Sequence, residues 1–366
     1  MGISCPYEKP FDYHQGKIAY ICISAFSGSL SIIGSSLILY TMSHGGWTRL
    51  SRPRNRLLFG MSVIDIFSSA AYSVSIIPTP QETECAIGMG NLSTCNAQGF
   101  LIQLGFAGPA YNAMLSIYYL LTIRYGITQT IIAEKYEVLM HVFALVPTLT
   151  TAIIGVVKKM YFSEAAVCWI GDICQSFGNC PTGNVWGRGI GIFLATTAYM
   201  WLCTTTTVCC MIFLSWTLKR RNLASSQYRF PGVIDRLPSN RRLSELEFAS
   251  LESAKQAYLY SAAFIFTYVW GTCGLIVSSI TGKAIATPWW YHYHLVGFFL
   301  PLQGLWNFLA YVRPQVSNIQ RDRNDDNISF IAAVKMIVTD QKHELISADV
   351  NTTQVMASRR YSLTSL

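Results

Sequence analysis

Residues Ile18–Met42 read IAYICISAFSGSLSIIGSSLILYTM, and no Asp, Glu, Lys or Arg interrupts them. A bilayer core about 30 Å thick is crossed by about 20 such residues in a helix. Six further stretches are similar, of which only the first contains a charged residue, Asp65: Leu57–Pro78, Ala97–Ile123, Val138–Val157, Gly189–Leu218, Ala257–Ile280 and Tyr291–Val312. A water-soluble core helix explains one such stretch, but hardly seven in one chain. The fifth is rich in Thr and Cys, among them Thr196, Thr197, Cys203, Cys209 and Cys210. Those side chains can bond back to their own helix's carbonyls, so they do not forbid a span. The fold class expected is an all-α membrane protein, a seven-transmembrane helix bundle.

Composition supports this reading. Apolar residues make up 51% of the chain and charged residues 13%. A soluble domain is charged at about one residue in four. The first 17 residues carry Glu8, Lys9, Asp12 and Lys17 and no apolar core, so no cleavable signal peptide is expected. The first span acts as its own insertion signal.

Lys and Arg mark the cytoplasmic side of a membrane protein. Of the 27 here, only Lys9, Lys17, Lys158, Lys159, Arg188 and Lys283 fall on one side of the seven spans. All others fall opposite, including Arg49, Arg52, Arg54 and Arg56 after the first span and the Lys219–Lys255 group after the fifth. The N-terminus is therefore expected outside and the C-terminus in the cytoplasm. The net charge of +8 is that of a basic membrane-facing surface and implies no nucleic acid.

Cysteines agree with that orientation. Cys85, Cys95, Cys168, Cys174 and Cys180 fall in outer loops and Cys5 in the outer tail, on the oxidising side. Asn91-Leu-Ser93 is a candidate N-glycosylation site outside, whereas the sequons at Asn327 and Asn351 lie inside. Trp47, Trp169, Trp186, Trp216, Trp289 and Trp290 lie near span ends, as in an interfacial belt.

Ionisable residues within the spans are few, and they point to function when present. Asp65 sits mid-span in Met61-Ser-Val-Ile-Asp-Ile-Phe67, His141 near the inner end of span four, and His292 and His294 near the outer end of span seven. Two His two residues apart point to different helix faces, so metal ligation is not the expected role. No clustered catalytic set appears, and the chain is not read as an enzyme. The last span has no Lys, which argues against a retinal Schiff base. An ion-coupled transporter would show internal repeats and more buried charge. A receptor remains, with a seven-span transporter or channel using Asp65 as the alternative.

Four passages carry a family resemblance. They are Pro53-Arg-Asn-Arg-Leu-Leu-Phe-Gly-Met-Ser-Val-Ile-Asp65, Cys95-Asn-Ala-Gln-Gly-Phe-Leu-Ile-Gln-Leu-Gly105, Cys168-Trp-Ile170, and Pro301-Leu-Gln-Gly-Leu-Trp-Asn-Phe-Leu-Ala-Tyr-Val-Arg-Pro314. With them, residues 18–314 resemble a G-protein-coupled receptor. The chain is more similar to receptor-like proteins of protists and algae, on the cAMP-receptor and secretin-like side, than to the rhodopsin-like class. The acidic-Arg-Tyr triplet of the latter is absent, since span three ends Tyr118-Tyr-Leu-Leu-Thr-Ile-Arg-Tyr125. Trp270 stands in span six without the Pro of the rhodopsin-like switch.

The resemblance implies a plasma-membrane receptor for an extracellular ligand, coupled to a heterotrimeric G protein, with no cofactor. It implies a disulfide between Cys95 and Cys168; spacing alone leaves Cys85–Cys95 open. Cys174–Cys180 is a second candidate pair, in which Cys5 or Cys85 could replace a partner. It places Asp65 in a hydrated cluster that sometimes holds sodium, with Ser35, Ser116 and Asn307 as candidate partners. The other reading of Asp65 is a protonated side chain that only bonds between helices.

Pro301, Gln303, Gly304 and Asn307 form the expected hinge of span seven, because Pro removes a helix hydrogen bond and Gly lets backbones approach. Whether that hinge moves or is a static kink stays open. Arg124 is read as either a G-protein contact or a snorkelling interface residue, and Arg220 and Arg221 lie on the same side. Arg241-Arg-Leu-Ser244 and Arg359-Arg-Tyr-Ser362 match basophilic-kinase sites, although Ser244-Glu-Leu-Glu247 is also a capping box. The short outer tail, residues 1–17, hints at a small ligand. The inner tail, residues 315–366, is expected to be largely disordered after at most a short surface helix.

Overall fold

A computed structural model describes residues 12–44, 50–80, 88–164, 167–170, 186–227, 254–273, 295–322 and 329–339. Helices dominate them. In chain order they are α1 (Asp12–His44), α2 (Pro53–Ser73), α3 (Leu92–Gly105), α4 (Ala107–Ile123), α5 (Gln129–Lys135), α6 (Glu137–Val157), α7 (Trp186–Gln227), α8 (254–273), α9 (Gln303–Asp322) and α10 (Phe330–Val338). A short antiparallel hairpin, β1 (Tyr161–Glu164) and β2 (Val167–Ile170), follows α6, with Ser163 opposite Cys168. Among the described residues, four helical segments are long and apolar enough to cross a bilayer: Ile18–His44, Leu92–Ile123, Glu137–Val157 and Ala195–Arg220.

Burial is inverted relative to a water-soluble protein. On α1, Ser24, Ser27, Ser31 and Ser35 turn inward together with Tyr20, Ile38 and Met42, while Ile18, Phe26 and Ile33 are exposed. On α6 the small residues Ala144, Thr148, Ala152 and Gly155 face the bundle. Val138, Leu139, Val142, Val146, Leu149 and Ile153 face outward. Water penalises so large an aliphatic surface, whereas lipid does not. In lipid, small residues at the interface let helices approach, and their hydroxyls bond across it.

The helices pack as one bundle. α1 lies against α2 and α9, α4 against α7, and α3 against α6. The buried core runs through Leu57, Leu58, Met61, Tyr111, Leu115, Tyr119, Leu214 and Tyr260.

Two element boundaries differ from the sequence expectation. The stretch 57–78 is helical only to Ser73; turns occupy 74–78, where Ser75 takes a positive φ of 48°. The stretch 97–123 breaks at Phe106 into α3 and α4. Pro109 explains that break, because a proline has no amide for the carbonyl four residues earlier and its ring crowds it. The inner tail carries a short helix, as its sequence allowed. α10 is capped by Ser329, whose hydroxyl accepts from Ala332 N, and it packs on α9 and α1 through buried Ala333 and Ile337.

Candidate functional site

Two prolines leave carbonyls that other helices satisfy. Pro301 cannot donate to the Gly297 carbonyl, and the hydroxyls of Ser24 (3.5 Å) and Ser27 (3.3 Å) on α1 donate to it. Pro147, inside α6, cannot donate to the Phe143 carbonyl, and the Tyr199 hydroxyl of α7 does so. Orphaned backbone groups are costly in hydrocarbon, so each proline ties its helix to a neighbour.

The stretch before α9 is irregular: a single α turn (Gly297–Phe299), then a 3-10 turn (Leu300–Leu302) containing Pro301. The Pro301 carbonyl accepts from Ser69 Oγ at 3.1 Å, and Gly304 N donates to Ser31 Oγ at 2.8 Å. Ser69 Oγ also donates to Ser31 Oγ at 2.9 Å. α1 and α9 touch at two glycines. A Cβ on Gly304 would lie 2.2 Å from Ser35 Oγ, and one on Gly34 would lie 2.9 Å from the Gly304 carbonyl. Against the same stretch, Phe266 of α8 meets Phe299 and Trp306 edge-on, while Trp270 stacks on Phe299.

One turn into α9, Asn307 donates its side-chain amide to Asp65 Oδ2 at 2.8 Å. Both residues are buried, so Asp65 joins α2 to α9. The other two expected partners do not meet Asp65 in a hydrogen bond: Ser116 Oγ donates to the Asn112 carbonyl, and Ser35 Oγ is buried without a partner beside Gly304. A sodium cage needs oxygens converging on the carboxylate. Asn307 presents an N–H there instead, so the four residues as arranged do not fit a bound cation. Among the described residues, no group of three or more His, Cys, Asp or Glu could hold a metal ion.

At one end of the bundle the hairpin is pinned down. Cys95 at the start of α3 and Cys168 in β2 form a disulfide. Cys168 N donates to Gln98 Oε1 at 2.9 Å. Gln98 Nε2 in turn donates to the carbonyls of Ala71 and Ser75. Tyr161 of β1 wedges between α3 and α6, where a Cβ on Gly99 or Gly155 would overlap its ring. Asn91 caps α3, its Oδ1 accepting from Ser93 N and Thr94 N, and its side chain is exposed. Cys174 and Cys180 lie outside the described residues.

Gln103, fully buried on α3, was not singled out by the sequence reading. Its Nε2 donates to Thr151 Oγ1 of α6 (3.0 Å) and Thr196 Oγ1 of α7 (2.7 Å). Its Oε1 accepts the Trp169 indole N–H at 2.9 Å. The signal available in the sequence was an amide in an apolar run, inside one of the passages quoted for the family likeness.

The opposite end is rich in arginine. Arg54 donates to Gln256 of α8 at 2.7 Å. Arg56 forms a two-pronged ion pair with Glu137, the first residue of α6. His141, one turn further, lies 3.8 Å from Glu137 and 3.0 Å from the Tyr111 hydroxyl. Arg124 closes α4, donates to Thr217 at 3.2 Å and lies over the rings of Phe213 and Trp216. Arg220 covers Trp216 at 3.7 Å. Arg221 follows on α7; Ser244 and Ser362 lie outside the described residues.

No family model matches the chain, and no curated protein matches it. Among solved structures, squid rhodopsin is similar with a TM-score of 0.55 at 14% identity, covering 87% of this chain and 87% of that one. At that identity the likeness shows the fold alone: the chain has a helical bundle similar to that of squid rhodopsin.

Proposed function

We propose that this chain is a G-protein-coupled-receptor-like signal transducer that crosses the plasma membrane seven times. The observation that carries the reading is the rhodopsin-type bundle covering 87% of the chain. Residues 18–314 form the seven-span bundle, 1–17 an outer tail and 315–366 a cytoplasmic tail. The Lys and Arg bias sets the arginine-rich end in the cytoplasm and the hairpin end outside. A small ligand enters beneath the hairpin. A heterotrimeric G protein engages the end carrying Arg124, Arg220 and Arg221, together with the loop 220–255. Ser244 and Ser362 are the sites at which a cytoplasmic kinase would add negative charge to that surface. The ending of span seven, with its Leu302-Gln-Gly304 run, supports kinship with the cAMP-receptor and secretin-like side.

The test is guanine-nucleotide exchange by a panel of heterotrimeric G proteins on the purified chain in lipid nanodiscs, across a broad ligand screen. Accelerated exchange that depends on the chain is expected. No acceleration with any G protein, combined with ion or solute flux that disappears in Asp65→Asn, would establish the transporter instead.

A further inference from the structure

Two arginines from different helices share the ring of Trp216. Arg124, which closes α4, has its guanidinium carbon 5.1 Å from the ring centre. Arg220, one turn further along α7, has its own at 3.7 Å. Tyr125 (5.7 Å) and Phe213 (5.5 Å) complete the aromatic bed of Arg124. Sharing one ring keeps the two guanidinium carbons within about 9 Å of each other, a gap that a single phosphate can bridge.

The charges of this pair are not balanced by protein. Aromatic faces attract both cations and neutralise neither. Among the described residues Glu137 pairs with Arg56 and His141, and no carboxylate pairs with Arg124 or Arg220. Arg124 spends one of its five N–H donors, on Thr217 Oγ1. Thr217 gives its own proton to the Phe213 carbonyl, so that bond holds the guanidinium in place. The other donors of Arg124 lie in the same rigid plane, a fork suited to phosphate oxygens.

The surroundings are those of a membrane interface. The segment Ala195–Arg220 is long and apolar enough to cross a bilayer, and Trp216 and Arg220 stand in its last two turns. Ile212, Trp216 and Arg220 are spaced by four residues and follow one face of the helix. Ile212, Phe213 and Trp216 are exposed there, and Lys219 and Arg220 are exposed beyond them. An apolar strip that ends in unneutralised cations matches one molecule along its length: acyl chains against the strip and a phosphate at the arginines. A zwitterionic headgroup brings its own cation and leaves the pair unbalanced.

We propose that Arg124, Trp216 and Arg220 form a headgroup site for an acidic phospholipid of the bilayer, with the phosphate between the two guanidiniums and the acyl chains along Ile212 and Phe213. The arginines come from α4 and α7, so a bound lipid ties those helices together at the arginine-rich end. The site goes beyond the receptor reading and does not depend on it.

The full chain in detergent is titrated with dioleoyl phosphatidylglycerol or dioleoyl phosphatidylcholine, and bound lipid is counted by native mass spectrometry. The acidic lipid should bind about 25-fold tighter, about fivefold for each arginine. Arg124→Gln/Arg220→Gln should abolish that preference. Arg52→Gln/Lys135→Gln, which removes two exposed charges elsewhere in the chain, should keep it. Trp216→Leu leaves every charge in place and removes the shared ring, and should weaken the acidic lipid about fivefold.

Equal binding of the two lipids overturns the proposal. So does a preference that survives Arg124→Gln/Arg220→Gln, or that falls as far in Arg52→Gln/Lys135→Gln, since either outcome describes diffuse charge. Full retention in Trp216→Leu overturns the shared ring as part of the site. Glycerol 3-phosphate has the phosphate without the chains and should not raise the unfolding midpoint at concentrations where the lipid does; an equal rise would reassign the site to a soluble anion and overturn the lipid. Should the double arginine variant not fold, Trp216→Leu and the two lipids on the unsubstituted chain still decide. No G protein enters these measurements, so failure here and failure of the receptor reading are separate results.

Discussion

The hydroxyl of Tyr199 donates to the carbonyl of Phe143, the carbonyl that Pro147 leaves without a helix amide. A proline that would weaken an isolated helix becomes the point at which α6 is fastened to α7. Pro301 repeats the arrangement toward α1 through Ser24 and Ser27.

Tyr199→Phe should lower stability by about 1 kcal/mol, the net worth of one such hydrogen bond. In a Pro147→Ala background residue 147 regains an amide and α6 satisfies Phe143 itself. The same Tyr199 change should then cost clearly less. Thermal unfolding of the two single variants and the double variant measures the coupling, and additive effects would show that the two sites are independent.

Gly304→Ala should separate α1 from α9. The added methyl would sit 2.2 Å from Ser35 Oγ and 2.6 Å from the Ser31 carbonyl. Overpacking of that kind costs about 1–3 kcal/mol. Ser35→Ala removes the clash with Ser35 and leaves those with the carbonyl and Oγ of Ser31, so it should rescue Gly304→Ala in part. The unfolding midpoints of the pair check this, and full rescue would mean that the Ser31 backbone yields more than expected.

Asn307→Ala should cost more than Asp65→Asn. The first strands a buried carboxyl; the second keeps an acceptor for the Asn307 amide. An unsatisfied buried polar group costs about 1–3 kcal/mol. Unfolding of both variants in the same detergent gives the order, and the reverse order would show that Asp65 draws its stabilisation from another neighbour.

Replacing Cys95 or Cys168 by Ser opens a link between residues 73 positions apart. On the chain-entropy account the loss is about 3–5 kcal/mol. The hairpin should also become more open to protease near Tyr161–Ile170. Limited proteolysis of the variant, beside the reduced unsubstituted protein, provides the measurement. Both should be cut alike, and faster than the oxidised chain.

Arg56→Ala should destabilise more than the double variant Arg56→Ala/Glu137→Ala. Glu137 is nearly buried, with a side chain 9% exposed, and loses its two-pronged arginine partner in the single variant. Breaking one half of a buried ion pair is costlier than removing both. A double-mutant cycle by thermal unfolding decides it; equal losses would mean that the pair is as weak as a surface contact.

The sequence by itself marked the apolar helices, of which four among the described residues are long and apolar enough to cross a bilayer. Apolar length and scarcity of charge are properties of consecutive residues, and they mark the helices that lipid requires. It also singled out Asp65, Asn307 and the Pro301–Gly304 stretch, because a carboxyl, an amide and a proline stand out in an apolar run. It read the Ala97–Ile123 stretch as one continuous span, because the break at Phe106 comes from a proline that helices often tolerate.

Tertiary structure alone decided which groups meet. Asp65 finds Asn307 across 242 positions, the Gly297 carbonyl finds Ser27 across 270, and Gln103 finds Thr196 across 93. Ser24, Ser27 and Ser31 of α1 read as ordinary residues of a span until the stretch around Pro301 is laid beside them. Gln103 was marked only as an amide in an apolar run, and its significance lies in three partners from three other elements. A buried hydrogen bond is a relation between distant residues, fixed only when packing removes every competing partner, and so neither residue carries its signature alone.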